Sequence, residues 1–172
     1  MMKRPDIAEY PAFFQRLMDL VPEMPFLDAL DANTEETVAF YNSIDATMHN
    51  HSYADGKWTI KQVLMHCIDS ERAFAFRILV CARGDESTVL YGQDENHYVA
   101  NIDVSQRTIQ SLLTEFQIVR SNSKALFENI TEAQSSFLGN TKNYKVSARA
   151  LGYFLIGHVI HHSNIVKVRY LA

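Results

Sequence analysis

Apolar residues recur at helical spacing through most of the chain, and the breaks in that period define its elements. Phe13, Phe14, Leu17 and Leu20 predict a short helix over residues 10–21, stopped by Pro22, whose ring cannot continue a helix. Phe26, Leu27, Leu30, Thr34, Val38, Tyr41 and Ile44 mark a longer helix over 25–44, with Pro25 suited to its first turn. A polar stretch then ends in the turn pair Asp55-Gly56. Thr59 and Gln62 follow at capping-box spacing and open a helix to about Ala82. Its inward set is Ile60, Val63, Leu64, Cys67, Ile68, Phe74, Ala75, Ile78 and Leu79, with the carboxylate of Glu71 on the same stripe.

From Arg83 to Asp103 the period disappears. In a compact domain a connection of that length is a functional segment or a long crossover. Ser105 starts a helix to about Ile130, carried by Ile109, Leu112, Leu113, Phe116, Val119, Leu126 and Phe127. Residues 131–145 read as a loop around Gly139-Asn140, and Ser147 caps a last helix that reaches Leu171. The pattern holds no strand and no repeat. It predicts an all-α four-helix bundle with a short extra N-terminal helix and a long crossover between helices two and three.

The last helix changes the picture from fold to chemistry. At about 100° per residue, Leu151, Phe154, Leu155, His158, His162, Ile165 and Arg169 share one stripe, and that stripe faces the core. Two imidazoles one turn apart therefore point inward, where an unpaired polar group costs roughly 1–3 kcal/mol or more. A divalent metal compensates both at once; core histidines satisfied by carbonyls or water are the alternative. His66, on the edge of the second long helix, is the third candidate ligand. Helix rise puts it about 7–13 Å from the level of the pair if helices two and four run parallel, and about 3–9 Å if they are antiparallel. A long crossover makes helices two and three parallel, so that four opposes two. The loop length and the histidine levels favour the same topology. Three imidazoles leave coordination positions open, as catalytic sites do, and ligand type alone does not choose among zinc, nickel, iron and cobalt.

Composition narrows the partners. The 172 residues, 47% hydrophobic and 21% charged, suit one globular domain spanning 1–172. A net charge of −4 without a basic stripe argues against nucleic acid. Cys67 and Cys81 both fall in a helix interior, which reads as reduced thiols and a cytoplasmic location. The start, Met1-Met2-Lys3-Arg4-Pro5-Asp6, has no signal-peptide core. The longest apolar run, Ala150 to Ile160, is about half a membrane span.

The stretch Lys57-Trp58-Thr59-Ile60-Lys61-Gln62-Val63-Leu64-Met65-His66-Cys67-Ile68-Asp69-Ser70-Glu71-Arg72 resembles the second-helix signature of the DinB-like proteins. Ala150-Leu151-Gly152-Tyr153 and Gly157-His158 through His162 resemble their last-helix signature. The resemblance implies an up-down-down-up four-helix bundle with a three-histidine metal site, mapped to His66, His158 and His162. Relatives include bacillithiol-dependent transferases and mycothiol-dependent isomerases, often dimeric, and hydrolases. The expected function is thus a zinc- or nickel-dependent enzyme, a thiol-dependent S-transferase or hydrolase. It would act on a small molecule with a low-molecular-weight thiol as co-substrate, as a homodimer without membrane or nucleic-acid partners. A non-catalytic metal-binding or sensing bundle is the alternative. No catalytic residue is assigned. Glu71 is expected in an ion pair with Arg169 or Arg72, Cys67 in packing, His161 beside the ligands, and His97 in a solvated crossover.

Overall fold

The computed structural model describes residues 2–172. The chain enters through single-turn 3-10 segments at Ile7–Glu9 and Ala12–Phe14 and the short helix α1 (Gln15–Met18). The predicted stretch 10–21 is thus little more than one helical turn, and Phe13, expected inward, is 62% exposed. Helix α2 (Phe26–Asn42) follows, then α3 (Ile60–Ala82). Thr59 and Gln62 form the reciprocal capping box at its start.

The crossover is more structured than its sequence suggested. It carries the two-residue strand β1 (Val89–Leu90) and the helix α4 (Glu95–Ala100), and Thr108 rather than Ser105 caps α5 (Ile109–Glu128). Residues read as a loop form the helix α6 (Glu132–Ser136) and the strands β2 (Leu138–Thr141) and β3 (Lys145–Ser147). β2 pairs in parallel with β1 and antiparallel with β3. The Ser147 side chain accepts from the Ala150 amide and caps α7 (Ala148–Arg169).

Contacts fix the bundle's directions. Arg72 meets Glu115 and Lys61 meets Ser105, so α3 and α5 run parallel. Lys124 meets Asp31 while Phe127 packs on Phe26, so α5 opposes α2. His66 faces His158 while Phe74 packs on Phe154, so α3 opposes α7. The topology is up-down-down-up, a four-helix bundle. Fully buried Leu30, Ile60, Leu64, Ile68, Ile78, Leu112, Leu151 and Leu155 fill it, each side chain contributing about 1.5–3 kcal/mol on leaving water. Among the described residues no helix is long and apolar enough to cross a membrane.

Candidate metal centre

The antiparallel α3–α7 pair brings the three singled-out histidines to one point. Nε2 of His158 lies 3.1 Å from Nε2 of His66 and 3.1 Å from Nε2 of His162. Ligand-capable nitrogens of all three fall within 4.8 Å of one another. Spacing i, i+4 puts His158 and His162 on one face of α7, and His66 reaches them from the second turn of α3. His66 is buried and His158 nearly so, whereas His162 keeps partial exposure, so the cluster sits at the edge of the core and opens on the His162 side.

Neighbouring rings hold the imidazoles in place. Phe154 stacks on His158 with centroids 5.5 Å apart and planes 16° apart, and Phe74 stacks on Phe154 at 4.6 Å. Trp58, the residue before the Thr59 cap, lies 4.8 Å from the His66 ring and 6.5 Å from that of His162. The capping box that starts α3 therefore also fixes the indole against the cluster.

Burial and mutual repulsion set the charge state. Burial lowers His66 to a pKa of about 4. Burial, with the neighbouring charges of His66, His161 and Arg16, lowers His162 to about 3. His158 is depressed well below the ordinary histidine value, first by burial and then by its histidine neighbours. All three are neutral near pH 7, the state in which imidazole binds metal.

The donor set fits a divalent ion. Two nitrogens at about 2.0–2.1 Å from one ion, subtending about 90–109°, stand about 2.8–3.4 Å apart, which matches the 3.1 Å from His158 Nε2 to each of its two neighbours. Hydrogen bonding alone leaves the cluster unsatisfied, because His158 Nε2 carries either one proton or one lone pair and can serve only one of its two Nε2···Nε2 contacts well. His66, His158 and His162 could together hold one such ion.

The other sequence candidates fall outside. His161 is half-buried with its ring 5.2 Å from that of His162, at the rim. His97 is exposed on α4, where Asn101 donates to its carbonyl. Cys67 is buried and its thiol is pushed up to about 12 by burial, an inert packing group. Glu71 is ion-paired with neither Arg169 nor Arg72: Arg120 of α5 donates from Nε to its Oε2 at 2.9 Å, and Arg120 Nη1 donates to Asn33 at 3.1 Å. Arg169 is exposed at the end of α7 and Arg72 pairs with Asp69 and Glu115 instead.

Segments outside the bundle frame the open side. A Cβ on Gly157 would stand 2.1 Å from the Leu17 carbonyl oxygen, so glycine allows α1 to lie directly on α7 beside His158. From the crossover, Asn96 joins Trp58, Lys57, Tyr53 and His162 around a cleft of about 220 Å³. Helical spacing from His66 also places Ser70 and Arg77 on this face of α3, a signal the apolar stripe had hidden.

A family model described as the DinB superfamily matches residues 29–166. Among solved structures, YfiT from Bacillus subtilis, a probable metal-dependent hydrolase with an unusual four-helix bundle topology, superposes with a TM-score of 0.68. It shares 16% identity, with 96% of this chain and 90% of that chain covered. A mycothiol-dependent maleylpyruvate isomerase superposes with a TM-score of 0.63 and 16% identity over 83% of this chain. The match spans only 60% of that isomerase. Among curated proteins, none matches significantly.

Proposed function

Because the chain belongs to the DinB superfamily, we propose that it is a divalent-metal-dependent enzyme in which His66, His158 and His162 hold one ion and a low-molecular-weight thiol is the co-substrate. The observation that carries this reading is the convergence of three neutral imidazole nitrogens on one partly exposed point. An ion held by three protein ligands keeps at least one position for an exchangeable ligand and would acidify a thiol or water placed there. Zinc and nickel both suit the donor set.

The chain's own residues orient and shelter. Trp58 and Phe154 lock the imidazoles and exclude water from their flanks. Glu71 is committed to Arg120 and Cys67 is buried, so neither offers a base or nucleophile at the cluster. That favours a nucleophile brought in by a second substrate, and with it S-transfer to an electrophilic small molecule. Hydrolysis at the same position is the second reading, favoured by the likeness to YfiT. A cytoplasmic location is part of the same reading, because low-molecular-weight thiols are kept reduced there. A homodimer has support in the exposed apolar side chains Phe76, Ile118 and Leu79 along α3 and α5, the last of which the apolar period had placed inward.

The test is a panel of low-molecular-weight thiols (bacillithiol, mycothiol, glutathione) offered with electrophilic acceptors to protein purified without a histidine tag and loaded with zinc or nickel. The expected result is turnover that requires both metal and thiol and disappears in His158→Ala. Turnover with metal but no thiol selects hydrolysis. Metal binding without turnover on any substrate supports a binding or sensing bundle.

A further inference from the structure

Arg77 is the one arginine of α3 that the fold does not pair with a carboxylate. Arg4, Arg72, Arg107, Arg120 and Arg149 each reach an acidic side chain. Arg77 is half-buried, and among the described residues no Asp or Glu lies within ion-pair distance of it. Burial lowers its affinity for a proton, and what opposes this comes from the phenols of Tyr144 and Tyr98. A cation taken from water without a counter-ion is a net cost that a bound anion would remove.

The position relates this cation to the histidine centre. His66, Ser70 and Arg77 lie on one face of α3, and eleven residues of helix rise about 16 Å. A helical side chain leans toward the N-terminus, here toward His66, and the guanidinium carbon indeed lies 4.6 Å over the Phe74 ring. Side-chain length then leaves about 10 Å between the guanidinium and the histidine cluster. Gln93 spans part of that interval. Its amide donates to Ser70 Oγ at 3.3 Å, and its oxygen accepts from Arg77 Nη2 at 3.1 Å. Nη2 also donates to the Tyr91 carbonyl at 2.8 Å. Nε and Nη1 make no hydrogen bond among the described residues, and Arg77 borders a cleft of about 320 Å³ that Gln93, Tyr91 and Tyr98 share.

We propose that Arg77 is a specificity-determining residue that binds a carboxylate of the substrate or co-substrate, carried about 10 Å from the group that reaches the histidine cluster. The preferred ligand is a thiol or electrophile with an anionic end separated from its reacting atom by about eight bonds. Nη2 already holds the crossover, and Nε–H and the Nη1 protons, which lie on different edges of the guanidinium, remain as single charge-assisted donors to a carboxylate. The inference rests on the metal-centre reading above for its second anchor, but the anion site itself does not need the metal.

The test uses full-length protein loaded with cobalt(II), titrated with 3-mercaptopropionate, 8-mercaptooctanoate and their methyl esters while the cobalt–thiolate absorption is followed. We expect the eight-carbon acid to bind about tenfold more tightly than its ester, as a charge-assisted pair allows. The three-carbon acid should show no such preference. Arg77→Gln should bring the long acid down to its ester's affinity, and Arg77→Lys should retain part of the preference. A preference that survives in R77Q, or that is equal at both lengths, overturns the proposal. If R77Q melts at a markedly lower temperature, Arg77→Lys and the wild-type length series still decide. A second arm adds octanoate to metal-free protein and follows the Arg77 Nε–H resonance. A shift there with no thiol response in the cobalt spectrum keeps the anion site and rejects the thiol reading. No shift and no acid preference reject the anion site, and Arg77 is then a tether for the crossover.

Discussion

Nε2 of His66 lies 3.1 Å from Nε2 of His158, although 92 residues separate them in the chain. Two neutral imidazoles in that arrangement share at most one proton, and His162 adds a third nitrogen at the same distance from His158. The bundle's packing holds the contact: α3 and α7 are antiparallel, Phe74 stacks on Phe154 one layer above, and Trp58 closes the other side. A cation at the common point would satisfy all three lone pairs, which hydrogen bonding among them cannot.

Metal binding should therefore stabilise the fold. At a free metal concentration one hundred times Kd, linkage gives about 2.7 kcal/mol. For a chain of this size that raises Tm by about 5–10 °C. Calorimetry with zinc, then with excess chelator, should show a reversible shift of this order in the wild type and none in His66→Ala.

The metal-free protein should lose stability on acidification. Burial lowers His66 to about 4 and, with neighbouring positive charges, His162 to about 3, while the unfolded chain's histidines protonate near 6.5. Below pH 6.5 the unfolded state takes up protons that the folded cluster refuses, so stability falls progressively from about pH 6.5 toward 4. Thermal melts across this range should show the decline, and replacing all three histidines with asparagine should flatten it.

Breaking the Glu71–Arg120 pair should cost far more than any surface pair. Both groups are at least 97% enclosed as side chains, and removing one leaves the other charged in the core, about 3–5 kcal/mol. Urea denaturation of Glu71→Ala should show a loss of this size. The double variant Glu71→Met/Arg120→Met should recover most of it, because a hydrophobic replacement leaves no orphan charge.

Gly157→Ala sets two effects against each other. Alanine gains about 1 kcal/mol of helix propensity, but its methyl would stand 2.1 Å from the Leu17 carbonyl oxygen. Backbone cannot yield as a flexible side chain can, and overpacking costs about 1–3 kcal/mol. The clash wins. Denaturation should show net destabilisation, and limited proteolysis should cut first near residues 12–18.

Much of the frame was legible because long helices advertise themselves. A 3.6-residue apolar period over twenty residues is a strong signal, and the caps at Thr59 and Ser147 mark where two of those helices begin. Even the antiparallel pairing of α3 and α7 was favoured by helix rise and the levels of His66, His158 and His162. The strands were not legible. β1 has two residues, too few for any period, and its parallel pairing with β2 joins segments some fifty residues apart. Phe13 misled because one helical turn cannot define a buried face. Glu71 stood out as a carboxylate on an apolar stripe, yet its partner on α5 required knowing that α3 and α5 are neighbours. Arg77 was hidden for the opposite reason: an arginine at the margin of an amphipathic helix looks like ordinary solvated surface.

The central claim is best tested by X-ray absorption at the metal edge on tag-free protein, alongside metal analysis of the wild type and of the three single alanine variants at positions 66, 158 and 162. One zinc or nickel ion per chain is expected, with three imidazole nitrogens at about 2.0–2.1 Å. The metal content should collapse in each variant. Wild-type protein that retains no divalent ion after equilibration, or variants that keep it, would contradict the account.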